Sequence, residues 1–342
     1  MGGVEHDPPG PTPPGLLVDP LPGVPGRREG TIRRTMHIDV GHRPGPGSAL
    51  PMAGAARDLV TPAGPGGPTV LAEVAMTAGF DEGRTLVQLE TTPDAAWAAG
   101  LVGTRAGGGF RRHLDGLTPA GEARSLLRQV LDDLPAAMLI SGYAWMRLAR
   151  RSGIDASVLV PVDMEERMND LCSGWRKGGS AMDSVRAGGG VPLQDCPPAT
   201  DLVGTDTDGW HRIGPLAPDW MRRRRLLDVG LGPDGRFSVW AMFRDTVGEA
   251  DGSEAVLHEY AVTVEGTGTT LESVVAEPRV LPFLECPGAA GAVGRLAGMD
   301  LAELPESVPV TLTRTDSCTH LNDLLRSLGG AAALVEAARA VV

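Results

Sequence analysis

The sequence predicts an α+β protein: an antiparallel sheet with helices packed on one face, its N-terminal α+β half joined to a C-terminal strand-strand-helix-helix module. Three observations predict it. Short strand-like runs separated by Gly/Pro clusters open the first half, two hairpin signatures follow each other after residue 220, and helical periodicity comes after the strands in both places.

Residues 1–30 carry repeated Pro-Pro and Pro-Gly steps without periodic apolar residues, so they are expected to form a disordered tail. They also lack the basic head and apolar core of a secretory or transit peptide, and His6 stands where myristoylation needs Ser or Thr. An N-terminal α+β region is expected over residues 31–220. Its strands are read at 31–40, 69–76 and 84–90, with the cluster 62–68 between the first two. The longest helical signal runs over 121–150, where Leu127, Val130, Leu131 and Leu134 form one apolar face and Pro135 is expected to kink or split it. A second helix is expected over 164–175, then a long surface loop over 178–200. Cys172 reads as a core residue and Cys196, beside Pro197-Pro198, as a loop thiol.

The C-terminal α+β domain is expected over residues 221–342. Runs 225–231 and 236–246 flank Gly232-Pro233-Asp234-Gly235, and runs 255–264 and 270–276 flank Glu265-Gly266-Thr267-Gly268-Thr269, two hairpins in sequence. Helices are expected near 287–297 and 321–328, with an alanine-rich helix from Ala331. No repeat of fixed period is visible.

Composition bounds function by exclusion. A net charge of −12 argues against a general nucleic-acid binder. The one basic run, Arg222-Arg223-Arg224-Arg225, reads as a solvated charge run at a strand start, ahead of an anion-binding patch. The most apolar stretch, residues 134–149, is too short and too interrupted to span a membrane, and four cysteines without close pairs do not make a disulfide framework. A cytoplasmic protein is expected.

Specialised chemistry concentrates around His258, Cys286, Cys318 and His320. Cys286 precedes Pro287 at a helix start, where exposed amides would favour a thiolate, so it can serve as nucleophile or metal ligand. Cys318 and His320 are one residue apart before the spacing Leu321, Leu324, Leu325, Leu328; an extended junction would point both the same way, whereas a helical turn would separate them. His258 lies within a strand and faces either the core or a site. Two Cys and two His form a ligand set for zinc, and iron can also use it. Asp245 is the acid/base candidate, with a surface ion pair to Arg244 as the plainer expectation. Glu259 should point away from His258, and Asn322 and Asp323 are expected only to cap the helix that follows. No phosphate loop, serine-hydrolase elbow or zincin motif is present.

The runs Leu257-His258-Glu259-Tyr260, Leu281-Pro282-Phe283-Leu284-Glu285-Cys286-Pro287 and Cys318-Thr319-His320-Leu321-Asn322-Asp323-Leu324-Leu325 resemble the bacterial domain-of-unknown-function family numbered 2889, over roughly residues 235–330. The resemblance implies a shared site without naming its activity. A fainter resemblance in order, two strands, a Cys at a helix start, then a Cys/His pair before another helix, is to iron–sulfur cluster scaffold proteins. Here His258 replaces their first Cys, and the pair is Cys-x-His rather than His-Cys.

The expectation is thus a metal-binding enzyme acting on an unidentified small organic substrate, with zinc or iron held by His258, Cys286, Cys318 and His320 and with Asp245 or Cys286 in the chemistry. An iron–sulfur or sulfur-handling scaffold and a metal-independent enzyme with Cys286 as nucleophile are the alternatives.

Overall fold

A computed structural model describes residues 15–45, 47–154 and 163–341. Strands β1 (Thr31–Val40), β2 (Leu50–Thr61), β3 (Thr69–Phe80) and β4 (Leu86–Thr92) form a meander, followed by helices α1 (Phe110–Leu117), α2 (Leu126–Asp132), α3 (Leu134–Arg151), α4 (Met164–Met168) and α5 (Ser180–Arg186). A second meander follows, β5 (Met221–Leu231), β6 (Arg236–Gly248), β7 (Glu254–Thr267) and β8 (Thr270–Val280). After it come a 3-10 helix at Cys286–Leu296 and helices α6 (Leu304–Thr311), α7 (Thr319–Ser327) and α8 (Ala331–Val341). The strands form one antiparallel sheet in the order β4-β3-β2-β1-β5-β6-β7-β8. β1 pairs with β5 from Thr31↔Gly230 to Val40↔Met221, so the sheet continues across the boundary read at residues 220 and 221.

Helices from both halves cover one face and divide its apolar packing into two cores, one under α1–α3 and one under α6–α8. The helical signal at 121–150 resolves as two helices that share Asp133 as a boundary, with Pro135 in the first turn of α3, where a missing N–H costs nothing. The helix expected over 164–175 is instead α4 and a 3-10 turn at Ser173–Trp175, separated by Asp170 at φ 56°. The expected loop at 178–200 contains α5. Strand β2 was not legible as a strand: its Leu-Pro-Met-Ala-Gly-Ala-Ala core is short on β-branched residues, and it is held by pairing on both sides.

The other sheet face is covered by chain rather than helix. Residues 15–30 depart from the expected disordered tail; the rest of that tail lies outside the described residues. Leu21 is buried with Leu202, Trp210, Leu226, Met242 and Ala261, and its N–H donates to Glu259 at 2.6 Å. Apolar contact plus a satisfied backbone donor offsets the entropy that Pro/Gly composition suggested would win.

On this same face His37 and His211 stack at 4.9 Å with Nδ1 of one 2.7 Å from Nε2 of the other. Burial above all pushes both imidazoles down to about 3, helped by nearby arginines and, for His211, first by His37. The unfolded chain takes up these two protons near pH 6.5 whereas the folded chain resists until about pH 3. Their contribution is therefore complete above pH 6.5 and falls on acidification. Urea unfolding of His37→Gln/His211→Gln between pH 7 and 4.5 should show a shallower loss of stability than wild type, by about 1.4 kcal/mol per pH unit for each histidine removed. Equal slopes would mean the pair does not titrate this way.

Candidate functional site

The four consecutive arginines that begin β5 are not a solvated run. Strand alternation sends Arg223 and Arg225 to the helical face and Arg222 and Arg224 to the other. Arg222, Arg223 and Arg225 are each no more than 2% exposed, and all four meet carboxylates. On the helical face Arg223 donates to both oxygens of Asp245 at 2.9 and 3.1 Å and to Asp323 at 2.6 Å. Arg225 donates to Asp133 at 2.6 Å and to Asp323 at 2.7 Å. Arg111, from α1, reaches the other oxygen of Asp323 at 2.5 Å.

Asp323 therefore does not cap α7, as the sequence suggested; it joins three arginines. Burial alone would raise its pKa, but Arg111, Arg225 and Arg223 outweigh that and hold the carboxyl well below the usual range. Asp245 likewise is not the surface partner of Arg244. It is fully buried on the helical face, while Arg244 pairs with Glu259 on the opposite one. Glu259 does point away from His258, as alternation requires.

This network positions a compact donor group. Asp245 on β6 lies directly across from His258 on β7, with a β-bulge immediately after Asp245. Asp245 Oδ2 is 3.5 Å from His258 Nδ1. His320, the second residue of α7, brings its ring to 4.2 Å from that of His258. A ligand atom from each of Asp245, His258 and His320 lies within 4.8 Å of the others, the one such group among the described residues. Two nitrogens here, His258 Nδ1 and His320 Nε2, are buried without a hydrogen-bond partner. Burial pushes the His258 imidazole down to about 3 and His320 well below its ordinary range, which keeps both neutral. Burial also pushes the Asp245 carboxyl up, against the pull of Arg223.

The structure brings some expected residues here and leaves others out. Cys318 caps α7 in an extended conformation, with its Sγ 3.8 Å from His320 Nδ1, on the far side of the ring from the orphaned Nε2. Cys286 does not join the group. It opens the 3-10 helix, as the sequence suggested, but its sulfur is packed so closely on Gly174 that a Cβ there would lie 2.6 Å away. Burial pushes the Cys286 thiol well up and Cys318 up to about 11, so the thiolate expected from a helix start is not favoured. Cys172 is buried nearby in the same core, as expected, and Cys196 is half-buried with its thiol pushed up to about 11.

His320 opens into a cleft of about 460 Å³ between the two halves. Arg223 and Asp323 share its floor. Arg84, Arg111 and Arg326 stand around it, and Leu139 and Ile140 of α3 supply an apolar wall. Arg326 spends one guanidinium nitrogen on the Pro305 carbonyl and leaves its buried Nε without a partner. No described helix is long and apolar enough to cross a membrane.

The fold and site together define an α+β protein with a buried His/His/Asp group at a cleft. Residues 221–334 match the model of a family described as "Protein of unknown function (DUF2889)", in agreement with the resemblance read from the sequence motifs. No curated protein and no solved structure matches the chain.

Removing Asp323 would take one carboxylate partner from each of three arginines, two of them buried, and leave the remaining carboxylates outnumbered. Asp323→Ala is expected to destabilise the protein by about 3–5 kcal/mol. Asp316→Ala, which breaks the exposed pair with Arg295, should cost under ~1 kcal/mol. Chemical denaturation of the two variants side by side checks the contrast; similar losses would refute it.

Proposed function

We propose that this protein is a metal-dependent enzyme that binds one zinc or iron ion through His258, His320 and Asp245 and acts on a small organic anion in the adjoining cleft. The observation that carries the reading is the pair of orphaned buried nitrogens, His258 Nδ1 and His320 Nε2, beside a carboxylate. Buried polar atoms are nearly always satisfied, and two neutral imidazoles plus a carboxylate form a ligand set that suits zinc or ferrous iron with positions left open. Bound there, such an ion supplies Lewis-acid chemistry or lowers the pKa of a water.

The protein's own residues do the rest. Arg223 fixes Asp245 from behind, and Cys318 lies against the second nitrogen of His320, the kind of outer contact that sets a ligand's orientation. Arg84 and Arg326 give the cleft positive charge for a carboxylate or phosphate, while Leu139 and Ile140 suit an apolar body. The sulfur-handling and cysteine-nucleophile alternatives both need an accessible thiolate, and the burial of Cys286 and Cys318 weighs against them. Four free cysteines suit a cytoplasmic location.

Elemental analysis of the purified protein tests this. Wild type should carry close to one equivalent of zinc or iron; His258→Ala and His320→Ala should lose at least tenfold in occupancy, and Cys286→Ala should keep it. A metal-free wild type sinks the proposal. Loss in Cys286→Ala with retention in His258→Ala would return the site to the thiols.

A further inference from the structure

The two meanders repeat one another. Their first strands, β1 and β5, run antiparallel side by side, and a two-fold axis normal to the sheet would pass through the pair Met36↔Arg225. Around that point the contacts are reciprocal: Arg33 pairs with Asp228 at 2.7 Å, and Arg222 pairs with Asp39 at 2.6 Å. Residue i touching j while j's counterpart touches i's is the signature of an isologous contact.

The correspondence extends outward through each half. Arg34 holds both oxygens of Asp58 as Arg223 holds both of Asp245. A bulge follows Asp58 on β2 and Asp245 on β6, and another falls at Gly79/Phe80 and at Glu265/Gly266. Helix α1 and the 3-10 turn Ala120–Glu122 recur 194 residues later as α6 and the turn Arg314–Asp316, and α2 falls on α7. Arg225, on the axis, reaches Asp133 just after α2 and Ser327 at the end of α7, which are counterparts at the same spacing. Near the axis the spacing is 189 residues, between Met36 and Arg225. That drift is why no fixed period is visible in the sequence.

We propose that the chain is one structural unit present twice, and that a second cleft beside α2 is a vacated copy of the first, stripped of its metal ligands. This second cleft has a volume of about 260 Å³. In it Ser125, Arg128 and Gln129 stand where the first has Thr319, Asn322 and Asp323, and Gly329 stands where the first has Pro135. Beneath it Arg34 bridges Asp58 and Gln129, as Arg223 bridges Asp245 and Asp323. Ala72 lies across from Asp58 where His258 lies across from Asp245, and Leu126 holds the place of His320. The carboxylate and its arginine are retained, and both imidazoles are gone.

Each cleft borrows a wall from the opposite half: Pro135 and Ala136 of α3 flank the first, Gly329 and Gly330 the second. The N-terminal half therefore acts as a built-in partner subunit that completes the histidine-bearing cleft. The family match, residues 221–334, starts at the first residue of β5, ends within α8 and so falls inside one unit.

The test uses the full chain and rests in one arm on the metal-site reading. Ala72→His/Leu126→His should raise zinc uptake from one equivalent to two; a folded variant that still takes one overturns the vacated-copy proposal. The reverse variant, His258→Ala/His320→Leu, gives the second unit the residues of the first. It should melt cooperatively within a few degrees of metal-free wild type, because the N-terminal unit already folds with that pair, and its failure to fold would overturn the equivalence whatever the other variant does. If wild type takes up no zinc, the metal reading falls while the melting comparison still decides the duplication.

Discussion

The structure depends on the buried arginine–aspartate network along β5. Guanidinium groups taken out of water are tolerated only where carboxylates meet them with good geometry, and Arg223 finds three and Arg225 two. Their partners come from β6, from the α2/α3 boundary and from α7, so satisfying two side chains fixes a strand and two helix layers relative to the seam between the meanders. Asp323 collects Arg111 as well and thereby ties α1 to α7 across the cleft. An apolar seam would pack these elements too, but with less demand on their register. His258 Nδ1 and His320 Nε2 take no part in that network and end unpartnered beside a fixed carboxylate.

How much of this was legible follows from the range of each interaction. The hairpins of the second meander were readable because their turns are local: Asp234 at φ 65° and Gly235 at φ 73° are what Gly-Pro-Asp-Gly announces. The leucine spacing of α2 and α7 was readable for the same reason. β2 was not, since its small residues take their conformation from neighbours on either side. The arginine run was misread because exposure is the ordinary fate of four adjacent charges, and only partners far away in sequence, from Asp39 to Asp323, reverse it.

The site was half legible on the same grounds. His320 and Asp245 were marked, and His258 was the member with the least local support, yet it is one of the three that come together. Cys286 had the strongest local argument, a helix start before proline, and lies outside it. That argument presumes the helix end faces solvent or a ligand; here it faces Gly174 and Phe283, and desolvation overrides the local dipole. Asp323 carried no local signal beyond its place near the start of a helix. Arg34 with Asp58 and Arg223 with Asp245 hold matching places in the two meanders, but their spacings differ, which hides the correspondence from a fixed period.

Two-fold symmetry breaks first on its own axis. Met36 and Arg225 face each other there, and a position on the axis cannot be balanced by its counterpart unless both carry the same group. The unmatched arginine needs carboxylate, and it finds Asp323 where the other unit has Gln129, besides Asp133 where the other has Ser327. That draws negative charge toward the second unit's cleft and gives its floor an extra Arg–Asp pair. Around the cleft Asp133, Asp245 and Asp323 then stand against Arg111, Arg223 and Arg225, close to neutral as a set. Neutral imidazoles add nothing to that balance. A divalent cation on Asp245 would leave net positive charge facing the cleft, in a partly dry site where charge is weakly screened. An anion entering between Arg84 and Arg326 would neutralise it. Cation and anion would in this way favour each other's binding, which is a physical reason for the histidines to persist in the half of the molecule that carries Arg225.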